Sequence, residues 1–190
     1  MSDKPQAAKQ GKGLKGFYIA IAIVALVAVG LYFSWTPLRL SYLEGRVRNA
    51  GPATIDIAKI TSESIAVPDH PRLVAARELA RIGPASLPAF RRLLADEDPA
   101  KRIEIQMGLS GPLNGWALPL LIEIARKGRT PQERHMAMWG CDYTTGLEHA
   151  PKKYDPAKLD EGCRKLEAWW EKEGEAQYGP GGPYYWPPGR

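Results

Sequence analysis

Residues 71–99 read PRLVAARELARIGPASLPAFRRLLADEDP, and the spacing of their prolines and glycines decides the fold. Pro71 is followed twelve residues later by Gly83-Pro84, and Pro99 twelve residues later by Gly111-Pro112. A proline at the first helical position lacks an N–H that would have no partner there, so each opens a helix, and each Gly-Pro closes one. The segments after the two closures also match: Leu87-Pro88-Ala89-Phe90 with Leu93 aligns with Leu118-Pro119-Leu120-Leu121 with Ile124, offset by 31 residues. A third opening stands at Pro131. Four and eight residues after the three prolines come Ala75 and Leu79, Ile103 and Met107, then His135 and Trp139, the expected inward pairs. The period of 28–32 residues reads as a helix–turn–helix unit used about three times.

This stretch resembles a HEAT-like repeat of the short type found in many bacterial proteins. The resemblance rests on the Ala-rich second helix, the Ile82-Gly83-Pro84 turn, the Leu87-Pro88 opening and the acidic Asp96-Glu97-Asp98-Pro99 turn. It covers about residues 70–145 and implies an all-α solenoid that serves as a scaffold. No catalytic residues carry over with it. The first helix of the first repeat falls near Ile55–Ile65, where the pattern degenerates, and the third copy lacks the closing Gly-Pro. Stacked helix pairs share one continuous core, and about three are needed for stability.

Beyond the repeats, assigned to 52–150, a capping helix is expected over 151–176. Leu159, Cys163, Leu166 and Trp170 make an apolar stripe of helical period after Asp155-Pro156. It resembles the tryptophan-containing cap found after some bacterial HEAT-like arrays. The tail, 177–190, holds YGPGGPYYWPPGR, too rich in proline and glycine for a helix. Tyr184, Tyr185 and Trp186 read as adhesive residues, for a partner protein, the domain's own groove or a lipid interface. A free tail is the bland alternative.

On the other side of the repeats lies the charge asymmetry. The 190 residues carry a formal net charge of +5. Residues 1–15 hold Lys4, Lys9, Lys12 and Lys15 against Asp3, whereas 36–190 hold 22 basic and 20 acidic side chains. The basicity is therefore mostly that of a short tail, which argues against nucleic-acid binding. From Gly16 to Leu38 no residue is charged, and roughly 20 apolar residues cross a bilayer. A transmembrane helix is expected over 16–36, with Tyr18, Tyr32 and Trp35 as interfacial anchors and a helix stop at Thr36-Pro37. A cleaved signal peptide ending near Ala28-Val29-Gly30 and a buried core helix are the rivals. Four lysines before the run and Arg39, Arg46 and Arg48 after it favour a cytoplasmic N-terminus in a bacterial inner membrane, with the C-terminal domain outside the cytoplasm. Residues 37–51 are expected to form a short amphipathic helix and linker, with Leu40, Leu43 and Val47 on one side.

Chemical motifs are scarce. There is no Gly-rich phosphate loop, HExxH, CxxC or CxxCH, and Gly108-Leu109-Ser110-Gly111 reads as a helix end rather than a nucleophile elbow. No cofactor is expected. Cys141 and Cys163 are a candidate disulfide, which needs an oxidising compartment, or else two inert buried thiols. A zinc site from Cys141, His149 and Cys163 with Asp142 has spacings that match no common pattern. His70 and His135 read as a turn residue and a packing residue, and Arg91-Arg92 as a solvated helix face. Positions three and seven after each proline give Val74 and Glu78, Arg102 and Gln106, then Arg134 and Met138. These are expected to line the concave surface where a solenoid meets a partner, with a plain solvent face as the alternative.

The sequence thus points to a non-enzymatic, membrane-anchored scaffold that binds a partner protein, as an accessory or assembly subunit of a larger membrane complex. The alternatives are a lyase or cofactor-attachment factor, since some HEAT-like proteins act on bilin chromophores, and a cytoplasm-facing regulatory tether.

Overall fold

A computed structural model of the chain describes residues 11–53, 55, 70–96 and 98–185, without the side chains of 11–17, 28 and 31–34. The described residues form helices and turns, with no strand. The chain divides into two compact units, Met1–Arg39 and Leu40–Arg190. The helix expected near Ile55–Ile65 lies mostly outside the described residues.

Helix α1, Gly11–Arg48, runs through Pro37 without a break, so the helix stop expected at Thr36-Pro37 is absent. Among the described residues no helix is long and apolar enough to cross a membrane. That finding corrects the transmembrane helix expected over 16–36, and with it the basis for the orientation read from the flanking charges. Tyr18 and Trp35 are exposed residues of this helix rather than membrane-interface anchors, and the side chain of Tyr32 lies outside the described set. The segment after Pro37 continues α1 instead of starting a separate helix, and its expected apolar side faces the core of the second unit. Leu43 and Val47 are buried in the core of the second unit, with Leu40 packed against it.

In that unit the expected helix openings are all present. Pro71, Pro99 and Pro131 are the first residues of α2 (Pro71–Ala80), α4 (Pro99–Leu109) and α6 (Pro131–Thr145). The residue before each proline caps the helix. His70 Nδ1 accepts from the Arg72 N–H, Asp98 from the Ala100 and Lys101 N–H groups, and Thr130 Oγ1 from the Glu133 N–H. Between them lie α3 (Leu87–Leu93) and α5 (Leu118–Lys127), each entered through a 3₁₀ turn. After Asp155-Pro156 the chain forms α7 (Leu159–Trp169), a π-helical turn over Trp170–Gly174 and the short α8 (Glu175–Tyr178). Leu159, Cys163 and Leu166 of the expected stripe are buried, and Trp170 packs against the same core.

Helix α2 packs on α4 and α4 on α6, while α7 lies against α5 and α6. The α2–α4 contact is close enough that a β-carbon at Gly108 would run into Ala76. Leu79, Phe90, Leu109, Leu118, Leu121, Met138 and Leu166 fill the shared core. Ion pairs join helices at nearly the sequence period. Arg46 bonds Glu78, Arg72 bonds Glu104 and Arg91 bonds Glu123, each 32 residues apart, and Arg102 bonds Glu133 at 31.

Candidate functional site

The face expected to meet a partner is mostly interior. Arg102, Gln106 and Met138 are buried at 4%, 1% and 0% exposure. Their positions, three and seven after the prolines, lie on helices that pack against the neighbouring second helices, so the contact that builds the layer covers them. The Arg102 guanidinium donates to Glu133 and to the Asp96 carbonyl. Arg134 keeps partial exposure, but its Nε donates to the Ala125 carbonyl (2.9 Å) and its terminal nitrogen to Asp160 (2.6 Å), which ties α5, α6 and α7 together. That guanidinium holds the Asp160 carboxyl below its ordinary range. Val74 and Glu78 are half-buried, and Glu78 accepts from Arg46. In this chain Arg102, Gln106 and Met138 are packed in the interior and Arg134 ties three helices together, so the four do not form an open concave surface.

The exposed chemistry of the second helices lies on an adjacent strip. His135 points inward as expected and is 2% exposed, its ring edge-on to Tyr154. Burial pushes its pKa down, against a smaller opposing effect of Asp142. Trp139, four residues on, is only half-buried and stands at the edge of the buried face. Its ring stacks on that of Tyr143, with centroids 5.4 Å apart and planes within 3°. Tyr143 is 54% exposed.

A cleft of about 590 Å³ runs beside this stack, lined by Trp139, Tyr143, Met107 and Leu113 together with Arg77 of α2 and Arg81 just after it. Among the described residues, no Asp or Glu lines it. A second cleft, of about 510 Å³, borders the other flank of Trp139 and includes Leu147, Lys152 and Lys153. Trp139 is thus a ridge between two open clefts. Two sequence signals could have marked it: aromatic residues at i, i+4 in α6 (Trp139, Tyr143) and arginines at i, i+4 at the end of α2 (Arg77, Arg81).

The tail residues expected to contact a partner are engaged within the chain. The Tyr184 N–H donates to the Gln177 carbonyl at 2.9 Å, the Tyr184 ring tilts onto Tyr178 at 5.3 Å, and Tyr185 packs against the core. The docking surface exists because residue 115 is glycine. A β-carbon there would collide with the Tyr184 carbonyl and the Tyr178 ring. Tyr184 and Tyr185 thus follow the self-docking alternative, with Tyr184 still 59% exposed, and Trp186 lies outside the described residues.

Cys141 and Cys163 are both buried free thiols, so the candidate disulfide is not formed. Burial pushes both thiols up in pKa, Cys141 well above the ordinary thiol value. The zinc alternative fails on geometry. Both Asp142 oxygens accept bonds from the backbone N–H of His149 or Ala150, and one also lies 2.9 Å from His149 Nδ1. Among the described residues, no group of three or more His, Cys, Asp or Glu side chains could hold a metal ion. No protein-family model, curated protein or solved structure matches the chain.

Proposed function

We propose that this chain is a short α-solenoid scaffold, without catalytic activity of its own, that binds a partner protein through the Trp139–Tyr143 ridge. The occupant is an extended segment carrying carboxylates beside apolar or proline residues. The observation that carries this reading is the cleft itself: a half-exposed stacked aromatic pair, with Met107, Leu113 and Arg81 in the same lining and no lining carboxylate among the described residues. Tryptophan, tyrosine and arginine dominate the binding energy of protein interfaces, and aromatic-lined grooves suit preformed extended segments. A basic wall selects an acidic partner by charge complementarity. In the cell this would make the protein an accessory or assembly subunit of a larger complex.

The test is selection from a random peptide library on the immobilised full-length chain, followed by calorimetry with the enriched peptides. The expected winners combine Asp or Glu with aromatic, aliphatic or proline residues. Trp139→Ala and Arg81→Glu should each weaken them by about tenfold or more. Enriched peptides that lack acidic residues, or that bind Trp139→Ala as tightly as the parent, would overturn the reading.

A further inference from the structure

A separate, smaller cleft of about 220 Å³ opens between α3, α4, α5 and the turn before α6. Four basic and two acidic side chains line it. Both acids are already engaged: Glu123 by Arg91 at 3.0 Å and Glu133 by Arg102. Lys127 and Arg129 have no carboxylate partner among the described residues, and Arg129 reaches only the carbonyls of Asp96 and Ala95, at 3.4 and 3.5 Å. The lining therefore carries two cations in excess.

The lining also includes Gln106, 1% exposed, whose Oε1 is buried with no hydrogen-bond partner. Native proteins leave few such groups unsatisfied, and each has a specific reason. Leu94, Leu120 and Ile124 add apolar surface. A single small cleft thus combines an acceptor lacking a donor, two cations lacking an anion, and an aliphatic wall.

We infer that this cleft binds an α-amino carboxylate with an aliphatic side chain. Its carboxylate meets Lys127 and Arg129, its N–H donates to Gln106 Oε1, and its side chain lies on Leu94, Leu120 and Ile124. The volume is below the roughly 300–1,000 Å³ of ordinary ligand pockets, so it takes one residue-sized group and not a larger cofactor. Two sources share this chemistry, the C-terminal residue of a protein and a free amino acid. The site is independent of the Trp139 ridge.

Titration of the full-length chain with N-acetyl-leucine, leucine and N-acetyl-leucinamide, followed by calorimetry, tests the assignment. At least one of the two acids should bind saturably, and the amide, which lacks the carboxylate, should not. Preference for N-acetyl-leucine assigns a protein C-terminus, and preference for leucine assigns the free amino acid. Lys127→Gln combined with Arg129→Gln changes only exposed side chains and should weaken binding about tenfold or more. Gln106→Leu should weaken it as well, with circular dichroism confirming the fold. No saturable binding of either acid up to about 10 mM, equal binding of the amide, or unchanged binding by the Lys127/Arg129 variant would overturn the inference.

Discussion

Arg72 of α2 and Glu104 of α4 meet in the core at 2.5 Å, with side chains 1% and 0% exposed. The guanidinium also donates to the carbonyls of Val47 and Gly51, so it clasps the end of α1 to the layer of second helices. A buried ion pair adds little net stability over a well-packed apolar pair, but losing one partner strands a charge. Glu104→Ala should therefore destabilise the fold by about 3–5 kcal/mol. Arg72→Met combined with Glu104→Leu should recover most of that loss. Urea denaturation of the single and double variants checks both outcomes; a double variant no better than the single would show that the pair contributes real net attraction.

His135 predicts a pH dependence. Its folded pKa lies below the 6.5 of the free side chain, chiefly because it is buried. Below pH 6.5 the unfolded chain takes up a proton that the folded chain resists, so stability is full above that value and falls as pH drops toward the folded pKa. The carboxyls of Glu44, Asp160 and Glu161 are lowered by basic partners, and their contributions fade only further down, below their ordinary values near 4. Thermal denaturation between pH 7.5 and about 5 should show a decline that His135→Gln flattens. A parallel decline in the variant would assign the effect to another group.

The thiols predict chemical silence. With Cys141 and Cys163 buried, free and raised in pKa, the native protein should react slowly with alkylating reagents, and both sites should react fully after unfolding. Masses measured with and without reductant should coincide. A mass difference on reduction would reinstate the Cys141–Cys163 bond.

Gly115 predicts a tail that can be dislodged. Gly115→Ala places a methyl against the Tyr184 carbonyl and the Tyr178 ring, which should cost about 1–3 kcal/mol or release the tail. Limited proteolysis should then cut near residues 179–183 faster than in the parent chain. Equal cleavage rates would mean that the tail is held elsewhere.

Much of the helical framework was legible because helix starts are local events. A proline in the first turn, with His70, Asp98, Thr130 or Asp155 before it to accept a backbone N–H, needs no distant residue to act. The inward pair Ala75 and Leu79 and the stripe Leu159, Cys163 and Leu166 were readable for the same reason, since a 3.6-residue period places them on one side. The partner surface was not. Arg102 and Gln106 are polar, which suggests solvent, yet the second helices pack on one another and cover them. Trp139 is apolar, which suggests the core, yet it stands at the open edge.

Local chemistry made legible the starts of α2, α4, α6 and the turn before α7, the spacing of about 28–32 residues between matching elements, and the apolar stripe of α7. Those properties depend on backbone chemistry and on neighbours within a turn or two. Tertiary structure alone decided which flank of each helix is covered and which acid each arginine meets. It also decided that both thiols are buried and free and that the tail lies over Gly115. A helix in a stacked layer touches neighbours on more than one side, and a single hydrophobic period specifies only one of them. The other contacts depend on how closely α2, α4 and α6 approach, which small residues such as Ala76 and Gly108 set only once the helices are packed together.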